Sequence, residues 1–157
     1  MKVRLLAVIL FFLAGFAWSV SAGEKSENHQ ARTIVHRFFT LVHRREYREA
    51  YRHFSRAVQK DVSFSRFREG AQDVSYLKIL KINVTDQEEN LIKMDMEALV
   101  HLRYKGNLYE AVYRGNVVLY REGEQWKLIR IELKATQQRP LDREAPPGDL
   151  QTLDFGT

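Results

Sequence analysis

Near residue 75 the spacing of apolar side chains changes from about 3.6 to 2 residues, and that switch restricts the chain to a mixed fold. The stretch "LIKMDMEALVHLRY" (91–104) alternates without a break. Ile92, Met94, Met96, Ala98, Val100, Leu102 and Tyr104 share one face, and Lys93, Asp95, Glu97, His101 and Arg103 share the other. Before it, "SYLKILKINVT" has the Leu, Ile and Val content of a strand. After it, "KGN" turns the chain into "LYEAVYRGNVVLYRE", and "EGEQ" turns it again into "WKLIRIELKAT". The pattern predicts at least four antiparallel strands. Gly115 inside the third predicts a bulge or a sharp bend. In the fourth, the apolar set moves from Trp126 and Leu128 to Ile129, Ile131 and Leu133, which predicts a bulge or a strand buried on both faces.

The half before residue 75 is helical in period. Residues 28–44 place Ala31, Ile34, Val35, Phe38, Leu41 and Val42 on one stripe, with Asn28 as the expected N-cap. "REYREAYRHFS" continues as a short helix presenting Tyr47, Ala50, Tyr51 and Phe54. Ser63 or Ser65 caps another, "FSRFREGAQ", which turns Phe64, Phe67 and Ala71 inward. Helices followed by a meander of long, bent strands predict an α+β plan with helices on one sheet face and the other face open.

His29, His36 and His43 are spaced by seven, which invites a metal ladder. Geometry excludes one. Ligands sharing an ion on a helix sit three or four residues apart, roughly 5–6 Å between Cβ atoms. Seven residues rise about 10.5 Å. The histidines also fall roughly 120–160° from the centre of the apolar stripe, on the solvated side.

The first residues have the layout of an export signal: Lys2 and Arg4, an apolar run from Leu5 to Ala17, then Val20-Ser21-Ala22 before an expected mature start at Gly23. A bilayer span needs about 20 apolar residues, so no stable membrane span is expected after cleavage. Removing residues 1–22 from the 157 leaves 135, enough for one domain with its own core, and lowers the net charge from +5 to +3. The chain has no cysteine, so neither a disulfide nor a lipidated cysteine is available, which fits a periplasmic or secreted location with a self-sufficient core. Nucleic-acid binding is not expected, because a concentrated basic stripe is missing. The Arg-rich "HRREYREAYRHFSR" (43–56) is interleaved with Glu46 and Glu49 and reads as a solvated helix surface. The domain is expected to span 23–136, followed by a flexible tail over 137–157 that holds all three prolines.

In element order the chain resembles the nuclear transport factor 2-like (cystatin-like cone) superfamily, as an exported bacterial member. The residues that carry the resemblance are "FFTLVHRREYREAYRHFS" as a long helix then a short one, "SFSRFREG" before the sheet, and "GEQWKLIRI" as a final hairpin and strand. It covers roughly residues 28–136. It implies a cone-shaped fold, a pocket between sheet and helices that is sometimes catalytic, and dimerisation through the open sheet face. A short strand that many relatives insert between helices has only "RAVQKDVS" to occupy here.

Fold does not dictate function, so the residues must. No catalytic set, metal site or cofactor motif is recognisable. Candidate pocket residues are Asp61, Tyr76, Tyr104, Tyr109, Tyr113 and Trp126, a set suited to a small apolar ligand. Candidate interface residues are Leu91, Leu99, Val112 and Val118, apolar positions among the charges of the open face. These point to a non-catalytic binding or assembly module, acting as a homodimer or beside an envelope partner. Two alternatives stay open: a pocket enzyme or carrier of isomerase or hydrolase type, and a membrane-anchored secretion-system component.

Overall fold

A computed structural model describes residues 23, 25–141, 152, 153 and 155. The expected signal over 1–22 lies outside them. The chain divides into two compact units, Met1–Gln30 and Ala31–Thr157. In the first unit residues 25–30 are helical, so Asn28 stands inside a helix rather than at its cap.

The second unit is an α+β assembly: a helical layer packed on one face of an open antiparallel sheet. Helix α1 covers residues 31–43. Its stripe is buried as the spacing requires, through Ala31, Val35, Phe38, Phe39, Leu41 and Val42, while His36 and His43 are exposed. The helix stops because Arg45 adopts φ 62°. Arg45 N then donates to Val42 O (3.0 Å) and Glu46 N to Leu41 O (2.9 Å), the paired bonds that close a helix C-terminus. Short helices follow: α2 (Tyr47–Tyr51), α3 (Arg56–Asp61) and α4 (Phe64–Gln72). Buried Ser55 caps α3 by accepting from Val58 N, and Ser63, not Ser65, caps α4 by accepting from Arg66 N. Most of "RAVQKDVS" is therefore helix, and the inserted strand of the resembled family has no counterpart there.

The sheet is a meander, β1 (Val74–Glu88), β2 (Leu91–Tyr104), β3 (Asn107–Glu122), β4 (Gln125–Pro140) and a two-residue β5 (Thr152–Leu153), in that spatial order. Lys105 and Gly106 both take positive φ in a two-residue loop, the hairpin geometry "KGN" predicts. Three bulges interrupt β1, and two residues of β4, Ile129 and Thr136, fall between paired positions. The bulge at Ile129 is the source of the phase change in the fourth strand. It lets Trp126, Leu128, Ile131 and Leu133 all turn inward. The helical layer is stitched to β4 by Ser55 N donating to Leu128 O and Leu128 N to His53 O, each 2.9 Å.

The chain end corrects the expectation of a flexible tail from residue 137. β4 continues to Pro140, Leu153 pairs with Leu133, and Phe155 is fully buried. Apolar burial decides this, because Leu153 and Phe155 join the buried core formed by the helices and the sheet. Phe155 lies 5.8 Å from Phe38, 5.9 Å from Phe39 and 6.3 Å from Phe67, ring centre to ring centre.

Candidate functional site

Strand alternation sorts the candidate residues into two groups. Tyr109, Ala111 and Tyr113 face inward from β3 opposite Leu102, Val100 and Ala98, and all are buried. Trp126 joins them from β4. Burial pushes the Tyr113 hydroxyl pKa up to about 12. Tyr104 is half-buried, 6.4 Å from Tyr109. Tyr76 lies on the outward face beside His101, and Asp61 is exposed at the end of α3. The expected pocket set is thus not assembled at one place. Three of its members are core.

Of the expected interface residues, Leu91, Leu99 and Val112 are half-buried on the outward face, and Val118 shares that face but is buried. Leu99 and Val112 are direct cross-strand partners on the outward face. Leu91 pairs with Tyr120, which is 43 % exposed, and Val118 sits two positions along β3. Between these two apolar patches lies a depression of about 560 Å³. It is lined by Lys81, Asn83, Asp95, Glu97, Arg114 and Asn116, over the backbone of Met96 and Gly115.

One end of the same face carries a network that single-strand reading does not reveal. His101 Nε2 lies 2.9 Å from Glu110 Oε2, and Arg139 Nε donates to Glu110 Oε1 at 2.7 Å. Tyr76 stacks on His101 at 4.8 Å, and His43 meets Tyr76 edge-on at 5.5 Å. The hydrogen bond from His101 holds the Glu110 carboxyl below the usual carboxylate range against the opposing effect of burial, and Arg139 adds to the lowering. Register is what brings the group together, since His101, Glu110 and Arg139 occupy three adjacent strands. Among the described residues no cluster of three or more His, Asp or Glu side chains is arranged to hold a metal.

The helical layer has a separate titratable feature. Burial is the main cause that lowers the His53 pKa from its ordinary 6.5, and the nearby positive charges of Arg37 and Lys127 lower it further, outweighing Glu49. Between the two pKa values the unfolded chain binds more protons at this site than the folded one. The stability that neutral His53 contributes is therefore complete above about pH 6.5 and declines as pH falls through the folded value. Melting curves from pH 8 to 5 should show this decline, and His53→Gln should flatten it. An unchanged slope in the variant would refute the assignment.

No protein-family model matches the chain, and the comparison with curated proteins returns no match. Function must therefore be argued from these residues alone. Among the described residues no helix is long and apolar enough to cross a membrane.

Proposed function

We propose that this chain is an exported, non-catalytic binding or assembly module, related in fold to the nuclear transport factor 2-like proteins, that works through the open face of its sheet. One observation carries the reading. Leu91, Leu99, Val112 and Val118 share the outward face, whereas Tyr109, Tyr113 and Trp126 are used as core. A face on which apolar patches alternate with charged groups has the make-up of a non-obligate interface. An enzyme or carrier built on Asp61 has less support, because that carboxylate is exposed and the aromatic residues expected around it divide between faces. Export rests on the charged, apolar and small-residue layout of residues 1–22.

The decisive variant is Leu99→Lys, studied by sedimentation velocity over a concentration series. Leu99 is partly exposed and faces away from the core, so the melting temperature should move by no more than about 3 °C. Self-association should weaken about tenfold or more, because a charge is placed against desolvated apolar surface. An assembly state identical to the wild type would overturn the reading.

A further inference from the structure

The seam between the helical layer and β4 gathers positive charge without gathering carboxylates to match it. His53, just past α2, is fixed there by its backbone, since its carbonyl accepts from Leu128 N at 2.9 Å. Phe54 beside it meets Phe38 of α1, ring centres 5.3 Å apart. These two contacts bring the chain neighbours of Leu128 and Phe38 to one place. Lys127 reaches over from β4, its Nζ donating to Arg52 O at 3.0 Å. Arg37 extends from the exposed side of α1. Both charges act on the half-buried His53 ring. Arg52 is the next cation along the chain, but its Nη1 donates to both carboxylate oxygens of Glu49, at 2.8 and 3.0 Å. Glu49 is the carboxylate whose charge reaches His53, so the acid nearest the cluster is already engaged. Arg37 and Lys127 have no ion-pair partner among the described residues, and the His53 ring makes no hydrogen bond there. Cations that serve only solubility gain by standing apart. Here three chain elements converge on one imidazole.

We propose that Arg37, His53 and Lys127 form a binding site for a phosphate group, either free or carried on a larger molecule. The number and kind of donors select this chemistry. A guanidinium, an ammonium and an imidazole N–H approach from three elements, which suits the several oxygens of a tetrahedral oxyanion better than the two coplanar oxygens of a carboxylate. The two fixed positive charges match the charge of about −1.5 to −2 on a phosphate monoester at pH 7. The site is also coupled to a proton. When it is empty, burial and the charges of Arg37 and Lys127 favour the neutral ring of His53. A dianion seated between them reverses the local field and favours the imidazolium, which adds a third charged donor. Binding therefore takes up protons, so affinity rises as pH falls through the His53 range. By the same linkage a bound oxyanion offsets the acid-side loss of stability described above for His53. This inference stands independently of the sheet-face reading.

The test is an NMR titration of the His53 ring from pH 8 to 5 in chloride, sulfate and inorganic phosphate at equal ionic strength. Sulfate keeps both charges over this range, so its effect reports the site and not the probe. His53 should titrate at higher pH in sulfate and phosphate than in chloride, while His101 on the outward sheet face serves as internal control. Arg37→Gln and Lys127→Gln should each weaken sulfate binding about tenfold or more. Arg37 is exposed, so its variant should melt within a few degrees of wild type. Lys127→Arg keeps the charge and should bind far more tightly than Lys127→Gln, which separates loss of charge from loss of the bond to Arg52 O. Identical His53 titrations in chloride and sulfate would overturn the proposal, and so would a sulfate effect that survives both glutamine variants. Vesicles of phosphatidylcholine with and without phosphatidic acid then identify the source. Cosedimentation that needs phosphatidic acid and is lost in Arg37→Gln supports a lipid-borne phosphate. A sulfate and phosphate response without cosedimentation supports a soluble phosphate compound.

Discussion

Gly115→Ala is expected to cost about 2–4 kcal/mol of stability, although it adds a single methyl group to a half-buried glycine of a central strand. Backbone torsion is not the reason, because Gly115 is not among the positive-φ positions. The reason is proximity. A Cβ built at residue 115 would overlap the carbonyl oxygen of Glu132, stand 2.9 Å from that carbonyl carbon and 3.1 Å from Leu133 Cα. All three atoms are backbone of β4, so no side-chain rotation relieves the overlap, and the β3–β4 pair must separate at its centre. Gly115 pairs with Met96 on one side and Leu133 on the other, both within the core layer, so separation also loosens buried packing. Urea denaturation should show a lower midpoint with an unchanged slope. A loss below about 1 kcal/mol would mean that β4 yields easily, contrary to this account. The same residue helps floor the outward depression, so even a folded Gly115→Ala protein should associate less well.

Gly115 also shows what a sequence can and cannot disclose. A glycine in a strand signals an irregularity, but the pairing holds no bulge at this position. β2 and β3 keep an unbroken register through it, and the constraint is the approach of β4. The four long strands were legible because one face of each is buried, which imposes a period of two. The phase change in β4 was legible for the same reason. Helix α3 was not: its six residues bury no side chain completely, so they leave no apolar stripe to read. It is held by Ser55 and by Gln59 Nε2, which donates to Tyr51 O and Phe54 O. The interface residues could be assigned to one face from alternation alone. Their pairing across β2 and β3 follows from the two-residue turn and an unbroken register, whereas three bulges in β1 each shift its pairing with β2 by one residue, which alternation does not disclose. The tyrosines failed as a pocket set because similar residues at strand ends turn in or out according to that same register.

Phe155→Ala should be among the most damaging single changes in the chain, costing about 3–5 kcal/mol. Proline content and the loss of period make the segment beyond residue 136 look dispensable, and composition is silent about where its few apolar residues dock. Phe155 is fully buried and stands against three rings: Phe38 and Phe67, which also meet Phe54, and Phe39. Truncating it leaves a ring-sized void walled by stiff aromatic groups, which cannot collapse to fill it, so the cost belongs near the upper end of the range. Leu153 anchors the same segment through its pairing with Leu133. Its buried side chain would remain in Phe155→Ala, whereas ending the chain at Leu141 removes both anchors and should cost more. Thermal melts of the two variants, read against wild type, separate the contributions. If the chain ending at Leu141 melts with the wild type, the terminal segment contributes nothing to the core, and the four helices with β1–β4 are sufficient by themselves. If Phe155→Ala alone accounts for most of the loss, the terminal segment acts as a plug for the aromatic cluster, and the two-residue β5 serves chiefly to hold that plug in register.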